Sequence, residues 1–128
     1  MPSLFTTPVH LGLGATAAPQ PDFIGMEWYA EYSARTAADG AEGRLVSLYR
    51  FTEDWTSWEM HPAGAELVVC TGGTLRLHQE VAGDVTVLTL GPGDYAINPP
   101  GVWHTADVAG EATALFITAG MGTEHRPR

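Results

Sequence analysis

Apolar and aromatic residues from position 26 onward fall in short segments that Gly, Asp, Asn and Pro residues separate. The separators recur about every eight to twelve residues, a spacing typical of sandwiches and barrels made of short β-strands. The predicted strands cover residues 26–33, 43–51, 56–61, 66–71, 73–81, 84–90, 94–98, 102–108 and 112–119. Because so many short strands leave few open edges only in a closed sheet, the pattern predicts an all-β barrel.

The strand at 73–81 has the clearest pattern in the chain. Leu75 and Leu77 alternate there with polar residues, which indicates one buried and one solvated face. Residues 82–84 form a predicted tight turn into the strand at 84–90. The two strands are therefore expected to make a hairpin.

The two ends of the chain show no sustained period of hydrophobic and polar residues. Residues 1–24 are rich in Pro and Gly and are expected to form an extended arm, and residues 121–128 an exposed tail. The barrel domain is then expected at residues 25–120. No window has the period of a long amphipathic helix, and residues 36–39 are expected to lie in a loop.

Length and charge narrow the class of protein. The chain has 128 residues, which suffices for one domain with a single core. Six Lys and Arg residues stand against fifteen Asp and Glu residues, and the formal net charge is −9. This charge repels phosphate backbones and anionic membrane surfaces, so neither nucleic acid nor a membrane is an expected partner.

Cysteine usage and the first residues bear on the cellular compartment. A single cysteine, Cys70, excludes an intrachain disulfide and fits a reducing compartment. Residues 1–14 contain no Lys or Arg, and Pro2 and Pro8 interrupt their apolar positions. We therefore expect no signal peptide, despite the small residues at 15–17, and a cytoplasmic location.

Two segments carry candidate metal ligands. Glu59 and His61 are two residues apart on a predicted strand, so both side chains project from the same face. Residues 62–64 form a turn, and Glu66 begins the next strand. In the second segment, the stiff turn Pro99-Pro100-Gly101 places His104 on a following strand, which suits the positioning of a ligand.

Together these segments resemble the paired motifs of the cupin family. The first motif has two histidines one residue apart, then a glutamate and a glycine, and its later part is matched by His61, Glu66 and Gly73. The second motif is matched position for position by Gly93, Pro99, Gly101 and His104. The resemblance covers residues 43–119 and implies a single-domain jelly-roll β-barrel.

One position departs from the family pattern, because Glu59 stands where the family has its first histidine. The resemblance implies one divalent metal ion, held by Glu59, His61, Glu66 and His104. Two carboxylates make such a site harder and more anionic, which favours Fe, Mn or Zn, with Ni or Cu as further candidates. Alternatively, Glu59 faces a substrate and acts as the catalytic general base, which leaves a three-ligand site.

A metal-free barrel, with these side chains in a buried hydrogen-bond network, is the competing interpretation. That network is costly, because buried carboxylates need charge partners and no Lys or Arg is obviously inward-facing nearby. The resemblance implies a metal-dependent enzyme acting on a small organic substrate, of the dioxygenase, isomerase, cyclase or lyase type. The alternative is a non-catalytic cupin that binds or senses a small molecule or a metal.

Other residues with reactive side chains are interpreted as structural. His78 is expected to be solvated on the polar face of its strand, and Cys70 to be a small buried residue. His10 and His125 lie in the terminal segments, and nothing in the sequence groups them with the site. The family often dimerises through exchanged N-terminal strands, so a homodimer is expected, with residues 26–29 as such a strand.

Overall fold

The computed structural model describes all of residues 1–128, which form nine β-strands and one α-helix. The strands are β1 (Val9–Gly12), β2 (Thr16–Pro19), β3 (Arg44–Phe51), β4 (Ser57–Met60), β5 (Glu66–Val81), β6 (Asp84–Leu90), β7 (Tyr95–Asn98), β8 (Trp103–Thr118) and β9 (Glu124–Pro127). Helix α1 (Glu27–Thr36) lies between β2 and β3, and 3-10 turns cover Leu13–Ala15 and Ala37–Glu42. No helix in the structure is long and apolar enough to cross a bilayer.

Strands β5 and β8, each of 16 residues, organise the sheet. The sequence predicts each of them as two shorter strands, which the structure joins into one. They pair antiparallel along most of their length, with register shifts on either side of Gly72 and Gly73. Gly73 has a φ of +69°, and a Cβ atom there would lie 2.1 Å from the carbonyl oxygen of Glu111, so only glycine fits this bend.

The remaining strands attach to this central pair. β8 also pairs with β3 and with β4, and β5 also pairs with β6 and β7, so the antiparallel sheet curves around its own interior. The interior is filled by buried apolar residues, which are Val68, Cys70, Leu75, Leu77, Leu90, Ala96, Ala106, Ala112, Ala114 and Phe116. The predicted all-β jelly-roll barrel is confirmed, and so is the hairpin of β5 and β6, whose turn residues Ala82 and Gly83 both have positive φ.

Both ends of the chain take part in the sheet, contrary to the expected arm and tail. β1 and β2 lie within residues 1–24, and β1 pairs with β3. β9 lies within residues 121–128 and pairs with β4 through four residues. The residues in and around these three strands show no sustained apolar alternation, so only the pairing with a neighbour defines them.

The strand predicted at 26–33 is wrong, because this segment forms helix α1. Trp28 and Tyr32 lie four residues apart on one face of the helix, stack with ring centroids 5.3 Å apart, and are buried with Leu45. Aromatic residues favour strands only weakly, so burial of one helical face against β3 outweighs that preference. Residues 26–29 are therefore not a strand available for exchange between two chains.

Candidate metal centre

Strand pairing brings three of the predicted ligands together. Glu59 on β4 lies directly opposite His104 on β8, and His61 follows β4 by one residue. Glu59 Oε2 lies 3.8 Å from His61 Nε2 and 3.8 Å from His104 Nε2. Ligand atoms of these three residues all lie within 4.8 Å of one another, close enough to share one ion.

Glu66, the first residue of β5, contacts the same two histidines. Its carboxylate oxygens lie 3.2 Å from His61 Nε2 and 3.2 Å from His104 Nε2. Asn98 Nδ2 donates a hydrogen bond of 2.9 Å to Oε1, and the Thr118 hydroxyl donates one of 2.5 Å to Oε2. Burial alone would raise the pKa of Glu66, but the contacts with His104 and His61 outweigh it and hold the pKa below its ordinary value. Glu66 is therefore a buried, ionised carboxylate at neutral pH.

The other ring nitrogens determine which atoms of the two histidines face the centre. His61 Nδ1 lies 2.7 Å from the Thr123 hydroxyl oxygen, and that hydroxyl donates its own proton to the Gly120 carbonyl at 2.8 Å. Thr123 must therefore accept from His61, which places the imidazole proton on Nδ1. His104 Nδ1 faces the Val102 carbonyl at 3.4 Å, and a carbonyl only accepts, so the proton is again on Nδ1. In the neutral form of each imidazole, Nε2 then carries the lone pair that a metal ligand requires.

These two Nε2 atoms are buried and have no hydrogen-bond partner. Each lies near a Glu66 oxygen, but proximity without a suitable angle does not make a hydrogen bond. Burial alone would lower the pKa of His61, yet Glu66 and Glu59 outweigh it and raise the pKa above its ordinary value. The centre therefore attracts positive charge, which a proton or a metal ion can supply.

The charges and spacings of the site fit a divalent cation. Two carboxylates meet there, and neither pairs with an arginine. The arginine ion pairs of the protein involve other carboxylates, those of Glu80, Asp107 and Glu111. A divalent ion at this place can therefore act as the charge partner that the buried carboxylate of Glu66 requires. Two ligands that each lie about 2.1 Å from an ion are separated by roughly 3.0–3.4 Å, and the contacts of 3.2 and 3.8 Å are near that range.

His125 reaches the same site, although the sequence places it apart. Its Nε2 atom lies 3.4 Å from Glu59 Oε1, and β9 pairs His125 directly with Glu59. The expectation that nothing groups His125 with the site is therefore wrong. No signal in the sequence indicates this contact, because the two residues are far apart in the chain and β9 has only four residues.

Aromatic side chains line the barrel beside the centre. The Trp55 ring lies 6.2 Å from that of His104, and its indole N–H is buried without a partner. The hydroxyls of Tyr29 on α1 and Tyr49 on β3 are hydrogen-bonded to each other. Burial raises the pKa of Tyr29, and Tyr49 and the negative charge of Glu59 raise it further, so these phenols stay neutral. The wall near the site is therefore apolar with a few polar donors.

The other histidines and the cysteine lie outside the centre. His78 is half-buried and contacts Asp107 at 3.0 Å, so its expected solvation is wrong. His10 is buried between the Tyr32 hydroxyl and the Asp39 carboxylate, each at 2.6 Å, beside a cavity of about 350 Å³ that lies away from Glu59. Cys70 is buried and unpaired, as predicted.

Residues 52–120, more than half of the chain, match the family model described as "Cupin domain". The chain therefore belongs to the cupin family, with the motif residues His61, Glu66 and His104 inside the matched region. Among curated proteins, no sequence matches the chain.

Solved structures that are similar to this chain include three that differ widely from it in sequence. Oxalate oxidase bound to the substrate analogue glycolate has a TM-score of 0.56 at 15% identity, covering 63% of this chain and 45% of that one. Hydroxypropylphosphonic acid epoxidase from S. wedmorenis, in complex with fosfomycin, has a TM-score of 0.52 at 14% identity, covering 59% and 43%. A cupin-2 domain containing protein from Shewanella frigidimarina has a TM-score of 0.48 at 21% identity, covering 66% and 71%. The chain thus spans less than half the length of the two enzymes.

Proposed function

We propose that this protein binds one divalent metal ion and is a metal-dependent enzyme acting on a small organic molecule. The observation that carries the proposal is the pair of buried Nε2 atoms of His61 and His104, which have no hydrogen-bond partner. They face the carboxylates of Glu59 and Glu66, which no arginine neutralises. By ligand type the ion is Fe, Mn or Zn, with Ni or Cu also accommodated.

The four residues have different parts in the proposed site. His61, Glu66 and His104 are buried and held by neighbouring hydrogen bonds, so they form its rigid base. Glu59 is the most accessible, with 30% of its side chain exposed, so it completes the ligand set on the side that a substrate can reach. In the alternative arrangement Glu59 is not a ligand and serves as the general base for a substrate. A divalent ion bound here supplies Lewis-acid polarisation and a template for substrate oxygens.

The surroundings support a small, partly apolar substrate with oxygen atoms. The indole N–H of Trp55, buried beside His104 without an acceptor, is a donor for a substrate oxygen. Aromatic rings of Phe51 and Phe116 pack around Trp55 and present apolar surface. Several reaction types of the family suit such a site, namely dioxygenase, isomerase, cyclase and lyase chemistry.

Oligomeric state and location stay predictions. A homodimer cannot form by exchange of residues 26–29 as a strand, because that segment belongs to a helix whose Trp28 is buried in its own chain. Light scattering at micromolar concentration measures the oligomeric state, and a monomeric mass would reject the homodimer. A cytoplasmic location is likewise kept as a prediction.

Elemental analysis of the purified protein tests the metal site. We expect close to one equivalent of metal in the parent and none in a His61→Ala, His104→Ala double variant. The control is His78→Ala, which removes a histidine that also contacts a carboxylate but lies outside the site. A parent protein that takes up none of Fe, Mn, Zn, Ni or Cu would contradict the proposal.

Activity is tested on the metal-loaded protein with phenols, enols, keto acids and thiols, following product formation and oxygen uptake. Turnover that disappears in the double variant supports an enzyme. Tight binding of a compound that is recovered intact would instead indicate a non-catalytic binding or sensor protein.

A further inference from the structure

The C-terminal strand β9 lies against the candidate metal centre, outside the region that matches the family model. It pairs with β4 in the register that sets His125 opposite Glu59 and Arg126 opposite Trp58. Directly opposed residues of antiparallel strands point to the same face of the sheet. The register therefore places His125 on the face from which Glu59 reaches the two buried histidines.

One carboxylate oxygen of Glu59 faces β9, and the other faces the candidate metal centre. Oε1 lies 3.4 Å from His125 Nε2, whereas Oε2 lies 3.8 Å from the Nε2 atoms of His61 and His104. A partly exposed glutamate side chain has several rotamers of similar energy, and each contact with one oxygen reduces their number. The contact with His125, whose side chain is 51% exposed, thus favours the rotamers in which the other oxygen faces the centre.

The turn that leads into β9 contributes a second contact. The Thr123 hydroxyl accepts a hydrogen bond from His61 Nδ1 and donates one to the Gly120 carbonyl. Two hydrogen bonds therefore hold this hydroxyl in place. This contact holds the imidazole of His61 in the tautomer whose Nε2 lone pair faces the centre. Two of the proposed ligands therefore each have one partner in the last eight residues.

The strand is anchored firmly enough to position these side chains. The Arg126 guanidinium lies 5.1 Å from the Trp58 ring centroid and 4.6 Å from that of Trp103, and it forms an ion pair with Glu80. Arg128 donates to the Asp107 carboxylate at 2.5 Å. Stacking and ion pairing at two arginines oppose the fraying that is usual at a chain terminus.

We propose that β9 is a positioning element of the metal centre, in which His125 orients the Glu59 carboxylate and Thr123 orients the His61 imidazole. This inference rests on the proposed metal site and adds to it two residues outside the family motifs. Partners that orient metal ligands typically change metal affinity by about 10- to 100-fold when they are removed. We expect a loss in that range at each position.

The first test compares three substitutions of His125 by Zn(II) affinity, measured in competition with a chromophoric chelator, and by the visible absorption of the Co(II)-loaded protein. We expect His125→Ala to bind Zn(II) about 10- to 100-fold more weakly and to change the Co(II) absorption, because Glu59 is no longer held. His125→Gln places an amide nitrogen close to the position of Nε2 and is expected to restore both readouts. The shorter His125→Asn is expected to behave like the alanine variant.

The second test uses Thr123→Val and Thr123→Ser in the same measurements. Valine keeps the shape of threonine but cannot accept from His61, so we expect weaker Zn(II) binding, whereas serine keeps the hydroxyl and the parent affinity. His78→Ala is the control, and its affinity should equal that of the parent. Affinities within twofold of the parent for both His125→Ala and Thr123→Val would overturn the positioning role and leave the metal site intact. A parent protein that binds neither Zn(II) nor Co(II) would overturn the metal site itself, and the positioning role with it.

Discussion

Glu59 on β4 and His104 on β8 are the one pair of residues through which these two strands are aligned. A shift of β4 by one residue would turn Glu59 away from His104, because neighbouring residues of a strand point to opposite faces. The pairing of β4 with β9 acts on the same register, since Glu59 also lies opposite His125. Strand register, and therefore barrel closure, determines whether the candidate ligands meet.

Glu66→Gln is expected to lower the affinity for a divalent ion by at least the roughly 10- to 100-fold that loss of an orienting partner costs, while leaving the metal-free fold intact. The substitution removes the buried negative charge, but both hydrogen bonds can persist. The amide oxygen can accept from Asn98, and the Thr118 hydroxyl can turn to accept from the amide nitrogen. Metal titration and urea unfolding of the metal-free protein measure the two effects separately.

Comparing Glu66→Ala with Glu66→Gln separates the effect of losing the charge from the effect of losing the hydrogen bonds at this position. The alanine substitution leaves the donors of Asn98 and Thr118 without an acceptor in a buried site, which costs about 1–3 kcal/mol of metal-free stability in addition to the lost affinity. Equal metal-free stability of the Gln and Ala variants would show that these hydrogen bonds do not hold Glu66.

Metal removal is expected to lower the melting temperature. An ion present at a hundred times its dissociation constant stabilises the folded state by about 2.7 kcal/mol, which corresponds to a shift of at least about 5 °C for a domain of this size. Calorimetry with and without a chelator measures the difference. The His61→Ala, His104→Ala variant should show no shift, and a parent that is equally insensitive to the chelator would contradict a structural contribution of the ion.

Gly73→Ala is expected to destabilise the protein by several kcal/mol more than Gly83→Ala. Both glycines have positive φ, +69° and +85°, so alanine is strained at each, by about 1–2 kcal/mol. Only at Gly73 would the new Cβ also overlap the backbone, 2.1 Å from the Glu111 carbonyl oxygen, whereas nothing lies within 4 Å at Gly83. Urea unfolding of the two variants measures the difference, and similar losses would show that the strand bend at Gly73 adapts.

The ion pair of Asp107 and Arg128 is expected to contribute stability at neutral pH that disappears in acid. The hydrogen bond from Arg128 holds the pKa of Asp107 below its ordinary value. The folded protein therefore binds a proton at Asp107 less readily than the unfolded chain does. The stability contributed by the ion pair is complete above about pH 4, and it is lost as the pH falls through the lower pKa that Asp107 has in the folded state. Because the pair is partly exposed, its contribution is about 0.5–1 kcal/mol.

Urea unfolding of the parent and of Asp107→Asn at pH 7 and near pH 3 measures this dependence. The stability difference should be larger at pH 7. Glu111→Gln is the control, because its ion pair with Arg50 is more than half exposed and should contribute little at either pH. A difference for Asp107→Asn that grows on acidification would contradict the assigned direction of the pKa change.

The sequence by itself determined the central strands and the family, and it predicted the four candidate metal ligands. Strand alternation and turn residues are local properties, so the strands from β3 to β8 could be predicted from short windows, with β5 and β8 each divided in two. The motif spacing also depends on local geometry, since Glu59 and His61 share a face because they are two residues apart. The confirmed cupin fold then brings His104 and Glu66 to the same place.

Only the tertiary structure decided how the ends of the chain are used. Strands β1 and β9 pair with β3 and β4, which lie far away in the sequence, and β2 joins the sheet only through β1. Helix α1 is stable because Trp28 and Tyr32 are buried against Leu45, a contact that no local pattern reveals. The contact of His125 with Glu59 depends on the same long-range pairing. These contacts depend on which strands pair and in which register. Packing of the whole chain sets both, so short windows of sequence do not reveal them.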